Sequence, residues 1–455
     1  MIFSDHAVLQ RDLPLPIWGW DTPGKEITVH LAGQRKKTAA GPGGKWLVVM
    51  DPLPAGGPHL LSVTGTGHQL REDIWIGEVW VCSGQSNMDW PLAKAHNGKQ
   101  EVEAAERPKL RLLKIPRRTA RTTQWDIDAS WQVCTPETAG GFSAVGYFFG
   151  RQLQDHLDVP IGLIDAAWPG GLAEAWTPEE ALAGSDTFAA RLEQARQVSR
   201  EDPDGQSKHD PRRPAGIYNG MIAPIIPYAI AGTIWYQGES NAGRPEEYGE
   251  LLPLLIRTWR RNWGQLNDFA FYIVQLANFG PVPEAPNQGG WAWIREAQAH
   301  TAHRTPGSGL VVTIDAGDAG DVHPRDKQTV GRRLAGLALK RTYGFETVEA
   351  GPTYLSHRVR DSKVIIRFKS TGQGLVNRGD DENINGFVIT GDGEKWHWAE
   401  ARIQGDRVVV WSPQVEHPTS VRYLWATNPG PIDLYNTANL PAGPFRTDTW
   451  LRPQP

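Results

Sequence analysis

The chain has little cysteine and no long apolar run. Only Cys82 and Cys134 occur in 455 residues, and they form no Cys-x-x-Cys pair. That supports neither a disulfide framework nor a cysteine-based zinc site, and it leaves room for one disulfide at most. No stretch of about 18 apolar residues is present, so nothing in the sequence spans a membrane. The opening Met1-Ile2-Phe3-Ser4-Asp5-His6 has no charged segment followed by an apolar core, so no secretion signal is visible. The formal net charge is only -4, which argues against a surface for nucleic acid or another polyanion. No internal repeat is evident.

What remains is a globular composition, 40% hydrophobic and 22% charged. The length exceeds one ordinary core, so two or three domains are expected. Tryptophan is abundant, at 20 residues. Exposed tryptophan faces suit sugar rings, and buried ones serve equally well as core filler.

Short strand patterns broken by turn residues fill the first 70 residues, at Leu15 to Trp20, Glu26 to Leu31, Trp46 to Met50 and His59 to Thr64. This spacing reads as a small β-sandwich over residues 1–72. From about Ile74 strand-like runs alternate with helical ones, the pattern of a parallel sheet flanked by helices, over residues 73–347. Ser143 to Leu157 reads as a helix, Ile161 to Ala167 as a buried strand, and residues 185–214 as a charged surface excursion. Ala229 to Tyr236, Phe269 to Gln275 and Gly309 to Ile314 read as further core strands, with a helix from about Lys327 to Tyr343. The β pattern returns over 348–455, at Lys363 to Phe368, Gly386 to Ile389, Arg407 to Trp411 and Ser420 to Trp425, as a second sandwich.

Chemistry concentrates at strand ends of the middle region. The run Ile74 to Val81 is apolar and then meets Ser83-Gly84-Gln85-Ser86-Asn87. In a parallel sheet, groups at the carboxyl ends of strands share one edge. Ser83 and Ser86 compete there as nucleophile, and spacing from the strand does not separate them; the plainer alternative is a serine-rich turn capping the next helix. A later strand ends in Trp168-Pro169-Gly170-Gly171, another in Gln237-Gly238-Glu239-Ser240-Asn241, and a third leads to Asp318, Asp321 and His323. Together these residues suit acyl transfer. Serine needs a neighbouring base, histidine has a fitting pKa, and an acid fixes its tautomer. Backbone N–H of Gly170 and the side-chain amide of Gln237 are candidate oxyanion donors. Each has a plain alternative: a glycine turn, a helix cap at Gln237 and Glu239, or a metal loop at Asp318, Asp321 and His323. Metal binding is disfavoured because further groups at ligand spacing are missing.

Several stretches taken together resemble the SGNH (GDSL-like) hydrolases, and specifically their sialate O-acetylesterase branch. They are Gly77-Glu78-Val79-Trp80-Val81-Cys82-Ser83-Gly84-Gln85-Ser86-Asn87-Met88, Tyr218-Asn219-Gly220-Met221-Ile222-Ala223-Pro224, Trp235-Tyr236-Gln237-Gly238-Glu239-Ser240-Asn241 and Asp321-Val322-His323-Pro324 with Lys327 and Gly331. Val8-Leu9-Gln10-Arg11, Trp18-Gly19-Trp20 and Pro444-Phe445-Arg446-Thr447-Asp448 extend the likeness over nearly the whole chain. The resemblance implies an α/β fold, with a three-layer SGNH (flavodoxin-like) hydrolase core and flanking N- and C-terminal β-sandwich domains. It implies Ser86 as nucleophile, His323 as general base and Asp321 as its orienting acid. Gly170, with Gly171 as the alternative, the Ser86 amide and Gln237 would form the oxyanion hole. Asn219, Glu239 and Trp168 are candidate substrate-binding residues.

The activity implied is removal of O-acetyl groups from a carbohydrate, either acetylated sialic acid or a plant polysaccharide such as xylan or xyloglucan. No metal, organic cofactor, nucleic acid or membrane partner is expected. Export to an extracellular or periplasmic location is usual in such a family; without a visible signal, a cytoplasmic location stays open. A non-catalytic carbohydrate-binding protein and a short-chain lipase or esterase are the competing functions.

Overall fold

The computed structural model describes residues 1–201, 210–264, 269–287, 289–450 and 452. The chain divides into two compact units, the first of Met1–Trp235 with Pro253–Phe271, the second of Tyr236–Leu252 with Tyr272–Pro455.

The first unit begins with a run of strands, and where apolar residues alternate along them they fix the faces. They are β1 (Val8–Gln10), β2 (Leu15–Trp20), β3 (Glu26–Leu31), β4 (Gln34–Ala39), β5 (Lys45–Met50), β6 (Gly56–Thr64) and β7 (His68–Gly84). In β5, Trp46, Val48 and Met50 point inward while Lys45, Leu47 and Val49 face out. β2 pairs antiparallel with β5, and β3 pairs antiparallel with β4 and β6. β7 runs unbroken for 17 residues. Its outer half is mostly exposed and pairs with β6, whereas its inner half from Ile74 is almost wholly buried. The boundary expected at residue 72 therefore falls inside one continuous strand.

Further strands are β8 (Arg107–Lys114), β9 (Gln132–Cys134), β10 (Ile161–Ala167) and β11 (Gly232–Tyr236), and the order is β11-β7-β10-β8-β9. β10 lies parallel to both β7 and β8, while β9 is antiparallel to β8, so the central sheet is mixed. All seven residues of β10 are buried, as a strand covered on both faces requires. The helix Ala144–Leu157 packs Val145, Phe148, Phe149 and Leu153 inward, and Phe149 meets Trp80 edge-on at 5.0 Å. Much of the tryptophan is core. Trp235 lies edge-on to Trp176 at 5.8 Å and to Trp259 at 6.1 Å.

The expected excursion at 185–214 contains a helix, Asp186–Glu201, and its residues 202–209 lie outside the described residues. Cys82 and Cys134 are free and buried, so the one disulfide the sequence allowed is not formed. No helix among the described residues is long and apolar enough to cross a membrane.

In the second unit β12 (Ala270–Val274, the unit's part from Tyr272) pairs with β13 (Ser308–Val311). The helices Ala292–Arg304 and Lys327–Arg341 follow these strands. Beyond them, Thr353–Arg360, Lys363–Lys369, Arg407–Trp411 and Glu400–Gln404 form one antiparallel sheet. Phe387–Thr390 and Ser420–Tyr423 centre another. Val364, Ile366, Val408 and Val410 share a core with Phe387, Ile389, Val421 and Tyr423. Arg295 is fully buried and donates to the carbonyls of Leu276, Ala277, Ala426 and Thr427 at 2.6–2.8 Å. Four backbone acceptors around one guanidinium offset the cost of burying it.

Candidate active site

In the first unit the site begins where β7 ends. Gly84 has φ +132, a conformation rarely open to other residues, and the chain turns there into the short helix Ser86–Asp89. The carbonyl of Gln85 accepts from the amides of Met88 and Asp89 at 2.9 and 3.0 Å, so Ser86 heads a fixed turn. Ser143 Oγ donates to the Met88 carbonyl at 2.6 Å and accepts from the Gly146 amide at 3.0 Å. One hydroxyl thus anchors the Ser86 helix and caps the helix that begins at Ala144.

The two serines separate clearly. Ser83 is fully buried and its Oγ donates to the Ala166 carbonyl at 2.9 Å. Ser86 is partly exposed.

β10 brings the second segment alongside. Ala167 is in register with Gly84, and the Trp168 amide donates to the Gly84 carbonyl at 2.9 Å. Gly170 then adopts φ +75, with open space where a Cβ would stand. Its N–H has no hydrogen-bond partner among the described residues, whereas the Gly171 amide closes a turn onto the Trp168 carbonyl at 3.2 Å. Trp168 itself is buried. Asn219, also buried, donates to the carbonyls of Ala120 and Arg121, each at 3.3 Å, and accepts from Thr123 Oγ1. Its amide is engaged in holding that neighbouring segment.

An ion network that sequence reasoning missed lies behind this turn. Asp89 Oδ2 contacts Arg117 at 2.5 Å, and Lys114 Nζ lies 3.4 Å from Asp89 and 3.3 Å from Asp165. Burial pushes the Asp165 carboxyl up to about 6, against the opposing pull of Lys114. Burial alone would lower the Lys114 ammonium, and Asp165 with Asp89 outweighs it, so its pKa is raised. An aspartate inside the otherwise apolar β10 is the sequence signal that could have shown it.

The second unit holds the remaining candidates. Gln237 is fully buried, its Nε2 donates to Asn241 Oδ1 at 2.7 Å, and its carbonyl accepts from Tyr248 and Gln298. One hydrogen of the amide proposed for the oxyanion is therefore engaged within its own loop. Asp321 Oδ1 accepts from the His323 amide at 2.8 Å and lies 3.5 Å from His323 Nδ1. The second distance suits an ion pair and is long for a hydrogen bond. Asp318 Oδ1 accepts from the Gly320 amide at 2.8 Å. Both aspartates so far serve as turn acceptors. Among the described residues no group of three or more His, Cys, Asp or Glu is arranged to hold a metal.

A buried strand delivering a serine beside a glycine loop, with an Asp-x-His turn elsewhere in the chain, is the equipment of a carboxylic ester hydrolase. Residues 76–340 match the family model described as carbohydrate esterase, sialic acid-specific acetylesterase. Human sialate O-acetylesterase is 30% identical, over 97% of this chain and 91% of that one. The mouse sialate O-acetylesterase is 29% identical, over 97% and 92%. A solved carbohydrate acetylesterase from Xanthomonas citri is 38% identical and superposes with a TM-score of 0.89, over 99% of both chains. The chain belongs to the sialic acid-specific acetylesterase family of carbohydrate esterases.

Proposed function

We propose that the protein removes O-acetyl groups from a sugar through an acetyl-enzyme on Ser86. Ser86 Oγ attacks the acetyl carbonyl as its proton passes to His323, whose imidazole Asp321 orients. The N–H groups of Ser86 and Gly170 stabilise the oxyanion. Collapse expels the sugar oxygen, which takes the proton from His323. Water, activated by His323, then releases acetate and frees Ser86. The finer architecture belongs to the same proposal: a three-layer SGNH core over 73–347 with β-sandwich domains at 1–72 and 348–455.

One observation carries the reading. The Trp168–Gly84 hydrogen bond sets the Gly170 loop beside the turn that heads with Ser86, and leaves the Gly170 N–H without a partner among the described residues. Gly170 is favoured over Gly171 on that ground. The role of Gln237 is weakened by its bond to Asn241.

Acetylated sialic acid is favoured as substrate by the family description, and acetylated xylan or xyloglucan is the second reading, favoured by the likeness to a carbohydrate acetylesterase. The test is acetate release from a panel of acetylated sialosides, xylan and xyloglucan. Release from at least one supports the reading. Sugar binding with no release from any returns the protein to the non-catalytic class, and preference for longer acyl chains would make it a general esterase.

A further inference from the structure

Lys327 opens the helix Lys327–Arg341, and no part of it reaches solvent. Two physical costs meet there. An ammonium loses its hydration on burial, and the amino end of a helix carries positive partial charge, the least favourable end for a cation. The preceding Asp326 caps that helix by accepting from the Thr329 amide at 3.0 Å. Burial pushes the Lys327 ammonium down to about 7, while Glu239, Asp321 and Asp326 draw it back up. Its Nζ also lies 5.6 Å from the centre of the Tyr236 ring. Burial keeps that phenol in its neutral form.

These neighbours coincide with the candidate chemistry of the second unit. Tyr236 and Glu239 flank Gln237-Gly238, and Asp321 stands two residues before His323. Glu239 Oε2 is buried, so its charge is little screened. A residue needed only to fill this space would be served at lower cost by methionine or leucine.

We propose that Lys327 is a positioning residue for the esterase, its ammonium holding the Asp321–His323 segment and the Gln237–Glu239 segment in one arrangement. The inference rests on the reading of His323 as the general base. It acts through charge, so it has a signed consequence. With the ammonium gone, Asp321, 3.5 Å from the imidazole, is no longer compensated, so the charged form of the general base is favoured and the acid limb of the pH profile moves up. Removing Glu239 instead leaves the ammonium less compensated, and the acid limb moves down.

The experiment uses the full chain and the acetylated glycan that it cleaves best. Lys327→Met should lower kcat by about 10- to 100-fold while KM changes by less than about 3-fold. The acid limb of its kcat/KM profile should move up by about half a pH unit to one unit. Glu239→Gln should move that limb the opposite way. A Lys327→Met protein that melts like wild type and keeps both kcat and the limb overturns the proposal. So does a limb that shifts upward in both variants, as general loosening would give. If Lys327→Met does not fold, Glu239→Gln decides alone: a downward limb supports the proposal and an unmoved one overturns it. A wild-type protein that releases no acetate overturns the hydrolase reading, and this inference with it.

Discussion

Ser83 Oγ donates to the carbonyl of Ala166, tying β7 to β10 inside the sheet of the first unit. A hydroxyl spent on a buried strand carbonyl cannot also attack a substrate. Ser83→Ala should therefore keep acetate release within about 3-fold of wild type and cost roughly 1–2 kcal/mol of stability, since a buried acceptor loses its donor. Parallel activity and denaturation measurements on that variant check both halves. A dead but fully folded Ser83→Ala would reverse the assignment of the nucleophile.

The turn that carries His323 makes its own distinction. In Asp321→Asn the amide oxygen can still accept from the His323 N–H, so the turn survives while the charge that orients the imidazole is lost. Turnover should fall by up to about 10⁴-fold with the fold intact. Asp318 accepts from the Gly320 amide and serves that turn, and Asp318→Asn should change turnover by less than about 5-fold. Reversed effects would make Asp318 the orienting acid.

Asp165 provides a prediction about stability and pH. Its folded pKa is raised to about 6, above its ordinary value of 3.8, chiefly by burial. Between those values the folded state holds a proton that the unfolded state has released. The contribution of Asp165 to stability thus declines as pH rises from about 4 to about 6 and is level above that. Compared with Asp165→Asn, the wild-type protein should lose up to about 2–3 kcal/mol over that window. Urea denaturation of both proteins across pH 4 to 8 reads the difference, and a flat difference would contradict the assignment.

Elements with a clear period could be read from the sequence alone. β2, β3, β10 and the strand Arg407–Trp411 begin and end where their apolar pattern does. β4 could not, because Gln34-Arg35-Lys36-Lys37-Thr38-Ala39 is polar on both faces and its strand exists only through pairing with β3. The helix Pro245–Trp263 holds Pro253 in its interior, a residue that ordinarily argues against a helix. The site shows the same limit. Spacing could not separate Ser83 from Ser86, since the distinction lies in a carbonyl 83 residues along the chain. Asn219 sits in a recognisable motif, yet its amide bonds to backbone about 100 residues earlier. Nor does a lysine at the start of a helix announce that it is buried, as Lys327 is.

The central claim is tested most directly by acetate release from an O-acetylated glycan by Ser86→Ala, with its melting curve recorded beside it. The account predicts a loss of about 10³-fold or more in turnover, as removal of a catalytic nucleophile gives, with unfolding unchanged. Turnover near the wild-type rate in the folded variant would contradict it.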